Sequence, residues 1–114
     1  IDKVYNTIKL TGRQRATKVL TTYILPSLKS FVKSFSSKEI RFFGMTCVYG
    51  SKDFTDDSPL STKPEFVAFI APAKLIRRYV ANDITGDELI NGADVFVSDR
   101  DMVSDMKKIK ITLE

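Results

Sequence analysis

Apolar residues in the first third of the chain recur at steps of three and four. Ala16, Val19, Leu20, Tyr23, Ile24, Leu28, Phe31, Val32 and Phe35 make one stripe, the period of an amphipathic helix. Gly12 weakens continuity with the first ten residues, so the main helix is expected to begin near Thr11. Pro26 falls inside the pattern and must kink or restart the helix, because it has no N–H and crowds the preceding turn. Ser36 and Ser37 end the stripe.

The pattern then changes to short extended runs. Residues 40–49, IRFFGMTCVY, are aromatic and β-branched with both faces largely apolar, which predicts a strand; Gly44 marks a bulge or a close approach. Residues 50–63 form a polar loop near the upper end of ordinary loop length. Residues 65–71, EFVAFIA, are a second strand, interrupted by Pro72. The next stretch, 73–83, has two readings. Leu75, Ile76, Tyr79 and Val80 fit one helical face after an N1 proline, and they also fit an extended excursion of a hairpin.

Residues 84–99, ITGDELINGADVFVSD, read as one compact unit. Thr85 and Glu88 have capping-box spacing, Leu89 and Ile90 are an apolar step, and 94–97 is a strand. Asn91-Gly92 is a short hairpin signal, because both residues accept positive φ. Residues 99–105 form a charged turn, and 107–113 alternate with Ile109, Ile111 and Leu113 on one face. A helix followed by four or more short strands is an α+β or small-barrel pattern, not an alternating βαβ one.

A chain of 114 residues with 43% hydrophobic content fits one domain with a modest core. The absence of His removes Ser-His-Asp triads, imidazole acid–base chemistry and nearly all common zinc sites. A single Cys, Cys47, cannot make an internal disulfide or a CxxC site, and a catalytic thiol would need a neighbouring base. No apolar run approaches the roughly 20 residues that span a bilayer. Residues 1–10 are too broken by Asp2, Lys3, Asn6 and Lys9 to read as a signal peptide, and an initial Ile reads as a processed or trimmed start.

The net charge of +4 conceals a polarity. Residues 1–41 carry nine Lys and Arg against Asp2 and Glu39, a net of +7, and the remainder carries −3. This suggests a polyanion at the front or head-to-tail contact between copies. Arg13, Arg15, Lys18, Lys29 and Lys33 lie mostly off the apolar stripe and form a candidate basic helix face, either simply solvated or meeting DNA. Asp53, Asp56 and Asp57, like Asp99, Asp101 and Asp105, read as loop solvation: an EF-hand starting at Asp53 would need Glu where Pro64 stands. No GxGxxG or GxxxxGK[ST] run is present. Phe42, Phe43, Phe54, Phe66 and Phe69 among basic residues imitate a single-strand stacking platform, although aromatics on short strands more often form core. No catalytic residue, metal ligand or cofactor site is assigned.

From Glu65 onward the sequence EFVAFIAP, KLIRRYVAND, ITGDELINGADVFVSDRDM and KIKITLE resembles the small head–tail connector proteins of tailed bacteriophages, the head-completion, stopper or neck proteins. The resemblance covers residues 40–114 and is most specific at Ile84, Gly86, Leu89, Ile90, Gly92, Asp94 and Val97. Two departures stand out: such proteins often continue into a further turn and strand, and the basic N-terminal segment is longer than the pattern requires.

The resemblance implies an α+β fold with an N-terminal helix packed on a small antiparallel, SH3-like β-barrel. It divides the chain into a basic helical segment, 1–38, and a barrel domain, 39–114. It implies a non-enzymatic virion protein, assembled in the host cytoplasm, that forms a homo-oligomeric ring beneath the portal. Such a ring closes the DNA channel after packaging and offers a platform to the tail; its partners are portal or adaptor proteins, tail proteins and packaged double-stranded DNA, with no membrane. The channel loop of stopper-type members matches residues 72–83, which would bring Lys74, Arg77 and Arg78 near DNA phosphates. Two alternatives remain open. One is a cystatin-like helix-plus-sheet protein-binding module of a secretion or conjugation system. The other is an enzyme using carboxylates and Lys, which a deep pocket with a perturbed carboxylate would support.

Overall fold

A computed structural model describes residues 1, 3–34, 39–56, 58, 62–98 and 106–111. The chain runs β1 (Val4–Asn6), α1 (Gly12–Val19), a π-helical turn (Leu20–Ile24), α2 (Leu25–Ser34), β2 (Phe42–Lys52), β3 (Lys63–Pro72), α3 (Ala73–Val80), α4 (Gly86–Asn91), β4 (Asp94–Ser98) and β5 (Met106–Ile109).

The helix expected from the stripe forms over residues 12–34, while Phe35, Ser36 and Ser37 lie outside the described residues. Thr11 caps α1: its side chain accepts from Gln14 N, and the Gln14 side chain accepts from Thr11 N, so two otherwise orphaned donors are satisfied. The helix does not break at Pro26. It widens into one π turn, in which Leu25 N–H donates to Leu20 O, and resumes as α2. Pro26 cannot donate to the preceding turn, and the wide turn just before it accommodates that loss without ending the helix.

The strands form one five-stranded sheet in the order β1-β2-β3-β4-β5. β2 to β5 are antiparallel neighbours, whereas β1 runs parallel to β2, with Val4, Tyr5 and Asn6 opposite Gly50, Ser51 and Lys52. The N-terminal helix is therefore the crossover of a βαβ unit, a connection that parallel strands require. The sheet is open, with β1 and β5 at opposite edges; the expected barrel does not form, and the SH3-like reading finds no support in this topology. The physical reason is the helical layer. The helices bury one face of the sheet, so its strands need not close on themselves to hide apolar surface.

Alternation of β3 sets the core. Val67, Phe69 and Ala71 point to the helices and are buried with Val19, Leu20, Ile24, Leu28, Ile76, Leu89 and Val95. Among the described residues, both segments, 1–38 and 39–114, contribute to this core. Ile111 of the last alternating run is buried in it, while Leu113 and the 99–105 turn lie outside the described residues.

The structure decides one open reading and overturns another. The 73–80 stretch is helical, with Ala73 and Ile76 buried. It ends in a Schellman arrangement: Asp83 N–H donates to Arg78 O, Asn82 N–H donates to Tyr79 O, and Asn82 takes φ 63°. Asn91-Gly92 is not a hairpin turn. The Thr85–Glu88 capping box nucleates α4, Asn91 is its last residue and Gly92 caps it at φ −91°. Gly92 does not use positive φ; a Cβ there would displace Leu75 Cδ1, the end of a side chain on α3.

Candidate functional site

The structure separates the candidate basic residues into three environments. Arg13, Lys18, Lys29 and Lys33 are exposed on the α1–α2 helix. Arg15 is not part of that face. It is buried, and its guanidinium grips the Glu65 carboxylate through Nε at 3.1 Å and Nη2 at 2.6 Å, while Nη1 donates to Leu10 O at 2.6 Å. The reason is helical phase: Arg15 precedes Val19 by four residues and shares its inward stripe. Glu65 meets it because it alternates in phase with the buried Val67 and Phe69.

Lys74, Arg77 and Arg78 lie on α3, Lys74 and Arg78 exposed and Arg77 half-buried. They share one short helix held by Ala73 and Ile76 in the core, not a freely reaching loop. Lys74 and Arg78, four residues apart, are neighbours on its outer surface.

Tyr49 completes the buried polar cluster. Burial first, then the neighbouring Glu65 carboxylate, push its pKa well above the ordinary tyrosine value. Tyr5 stacks edge-on against it at 5.6 Å, with Lys3 Nζ 5.5 Å from the Tyr5 ring centre. Burial and the neighbouring Tyr23 raise the Tyr5 pKa. These groups hold one another, and among the described residues no buried side-chain polar atom lacks a hydrogen-bond partner. Such a satisfied cluster is suited to fixing the helix on the sheet.

Cys47 faces the helices, half-buried, with its thiol pKa pushed up by burial, the opposite of a poised nucleophile. Asp53 and Asp56 act within their own loop: Asp53 Oδ1 accepts from Thr55 N at 2.8 Å and from Thr55 Oγ1 at 2.6 Å, and Asp56 Oδ1 accepts from Ser58 N at 2.9 Å. No group of three or more Cys, Asp or Glu among the described residues could hold a metal ion. No helix among them is long and apolar enough to cross a membrane.

The phenylalanines divide. Phe69 is fully buried, Phe43 and Phe66 are half-buried, but Phe42 is 64% exposed and Phe54 54%. Register places Phe42, Val48, Phe66, Ile70 and Phe96 on the sheet face opposite the helices. Val48 and Ile70 are exposed there as well, so this face is apolar and open to solvent among the described residues. A pocket of about 380 Å³ opens between α2 and the start of β2, lined by Leu28, Phe31, Ile40, Phe43, Met45 and Phe69 together with Phe42 and Gly44 of the outer face. Phe31, at 46% exposure, and Phe42 stand at its mouth.

No protein-family model matches the chain, no curated protein matches it, and no solved structure matches its fold.

Proposed function

We propose that this protein works by assembly, without catalysis, as a neck component of a tailed bacteriophage. Copies form a ring beneath the portal, close the DNA channel after packaging and present a surface to the tail. The observation that carries this reading is the rigid display of Lys74, Arg77 and Arg78 on α3, within the chain segment whose sequence resembles the connector family. A helix seated on the core fixes where these side chains start, while each exposed side chain still loses rotamer freedom on meeting a phosphate. Such binding is electrostatic and independent of base sequence.

The test is electron microscopy of particles assembled without the protein. Filled heads that lose their DNA beside free, finished tails support head closure; normal infectious virions end the proposal. Replacing Lys74, Arg77 and Arg78 with Ala should leave the fold intact and make heads leak. In vitro, each cation that meets a phosphate accounts for about 0.9 in the slope of log affinity against log salt. The triple variant should therefore show a weaker salt dependence than the wild type.

The open sheet favours a second reading, the cystatin-like binding module. The helices occupy one face of the sheet, and Phe42, Val48 and Ile70 leave the other uncovered among the described residues. That reading expects a monomer that docks one protein partner and has no affinity for DNA.

A further inference from the structure

The strand β2 is longer than the strand that covers its edge. It starts at Phe42, yet β1 pairs only with Gly50, Ser51 and Lys52, and the Ile1 amine reaches no further than Val48 O, at 2.9 Å. Gly50 N–H donates to Lys3 O, and Lys52 O accepts from Thr7 N–H, so these two residues turn their backbone groups toward β1. Alternate residues of a strand turn the same way. The N–H and C=O of Phe42, Gly44 and Thr46 therefore point to this edge, away from β3. Pro72 and Pro64, opposite Phe42 and Gly50, agree with this phase, since neither has an N–H to donate. Among the described residues nothing pairs with the edge-facing groups of Phe42, Gly44 and Thr46, and all three residues are exposed.

A row of alternating free donors and acceptors takes one kind of partner, another extended backbone. Gly44 shows how close that backbone comes. Glycine inside a strand marks a bulge or the near approach of a second backbone. The β2–β3 register runs unbroken through Gly44, which excludes a bulge, and its φ is not positive. A Cβ at Gly44 would meet Ile70 Cγ1 at 3.4 Å and Phe69 O at 3.6 Å, ordinary contacts. Packing among the described residues thus gives no reason for a glycine here. Two residues away on the same outer face, Phe42 leaves 64% of its surface in water.

We infer that β2 pairs edge to edge with β2 of a second copy of this chain, antiparallel about a two-fold axis through Gly44. The strand supplies its own complement in this register. Gly44 faces the second copy's Gly44, and Phe42 faces its Thr46. These are bonded pairs that exchange both N–H···O bonds, so every free group of the three residues is satisfied. Each Phe42 ring lies diagonally over the other copy's Gly44, as an aromatic covers an edge glycine. On the opposite face Phe43 comes beside the other copy's Met45, a close pair in which sulfur meets a ring. The paired strip is about 17 Å long. That is short of the roughly 1,600 Å² buried by a stable complex, so the dimer is weak and reversible. The contact is isologous and closes at two copies. It uses none of Lys74, Arg77 and Arg78 and stands apart from the neck reading.

The test has two arms. In the first, the full chain is sedimented from about 10 μM to about 1 mM, a range suited to a weak interface, at about 0.15 M salt to screen exposed like charges. Wild-type mass should rise from one copy to two and stop there. Thr46→Pro removes an N–H that faces the edge and leaves every bond to β3 in place, so the monomer should keep its circular dichroism spectrum. Each copy then loses one bond to the other, and association should weaken on the order of tenfold or more. In the second arm, Gly44→Cys and Thr46→Cys are exposed to oxidised glutathione. Bonded antiparallel partners lie about 5.5 Å apart at Cα, within disulfide reach, so Gly44→Cys should yield a covalent dimer. Two copies of residue 46 are four residues out of register, about 14 Å, so Thr46→Cys should not, nor should the wild type through Cys47. A wild type that stays monomeric throughout, a folded Thr46→Pro that associates like the wild type, or cross-linking at Thr46→Cys as ready as at Gly44→Cys would each overturn the inference.

Discussion

Arg15 and Glu65, fifty residues apart, form a bidentate ion pair with both side chains almost wholly withdrawn from water, at 7% and 4% exposure. The pair ties the first turns of the N-terminal helix to the central strand. Bringing these two charges out of water is costly, and the pair offsets that cost only because the geometry is good and Arg15 Nη1 also donates to Leu10 O.

Removing one partner should therefore hurt more than removing both. Arg15→Met or Glu65→Leu alone should lower unfolding free energy by about 3–5 kcal/mol, because each leaves a buried charge unpaired. The double replacement should recover much of that loss. Urea denaturation of the four proteins measures the coupling; additive losses would mean that the two side chains act independently.

Alkaline pH should destabilise the fold through Tyr49. The ordinary tyrosine pKa is 10.0, and burial with the adjacent Glu65 raises it in the folded state. The neutral hydroxyl is favoured on folding, so the contribution is fully present below about pH 10 and is lost as pH climbs from there toward the folded value. Denaturation followed from about pH 8 to pH 11 should show stability falling at the alkaline end, at a slope of up to about 1.4 kcal/mol per pH unit from this group. Tyr49→Phe should flatten that fall while lowering stability at neutral pH.

Asn82 closes α3 at φ 63°. Asn82→Gly should be neutral or stabilising by a few tenths of a kcal/mol, whereas Asn82→Val should cost about 1–2 kcal/mol, since a β-branched side chain tolerates this region poorly. Thermal melts of the two variants should shift in opposite directions or, at the least, differ by several degrees.

The six-residue helix α4 depends on its cap. Thr85 accepts from Glu88 N at 3.2 Å, and Glu88 accepts from Thr85 N at 3.1 Å. Thr85→Ala should cost about 1 kcal/mol and should raise amide exchange across Leu89 and Ile90 before it affects β3. Uniform protection loss would show that α4 has no local cooperativity of its own.

Much of this architecture is written in local pattern. The three-and-four spacing from Ala16 to Phe31 specified the N-terminal helix. Thr11 and Thr85, each with a capping partner three residues on, mark where helices start, and the apolar run 65–71 marks a strand, although packing decided which of its two apolar faces turned inward. These depend on near neighbours and on a period, and a single sequence carries both. What tertiary structure alone decided depends on who meets whom. Nothing local says that β1 returns parallel beside β2, that the sheet stays open because helices cover one face, or that Arg15 turns from a solvated helix face to Glu65. Asn91-Gly92 shows the same limit: the dipeptide permits a hairpin or a helix end, and α4 packing against Leu75 selected the second. The pocket beside α2 and the uncovered edge of β2 belong to this class as well, because a surface exists only once distant segments have packed.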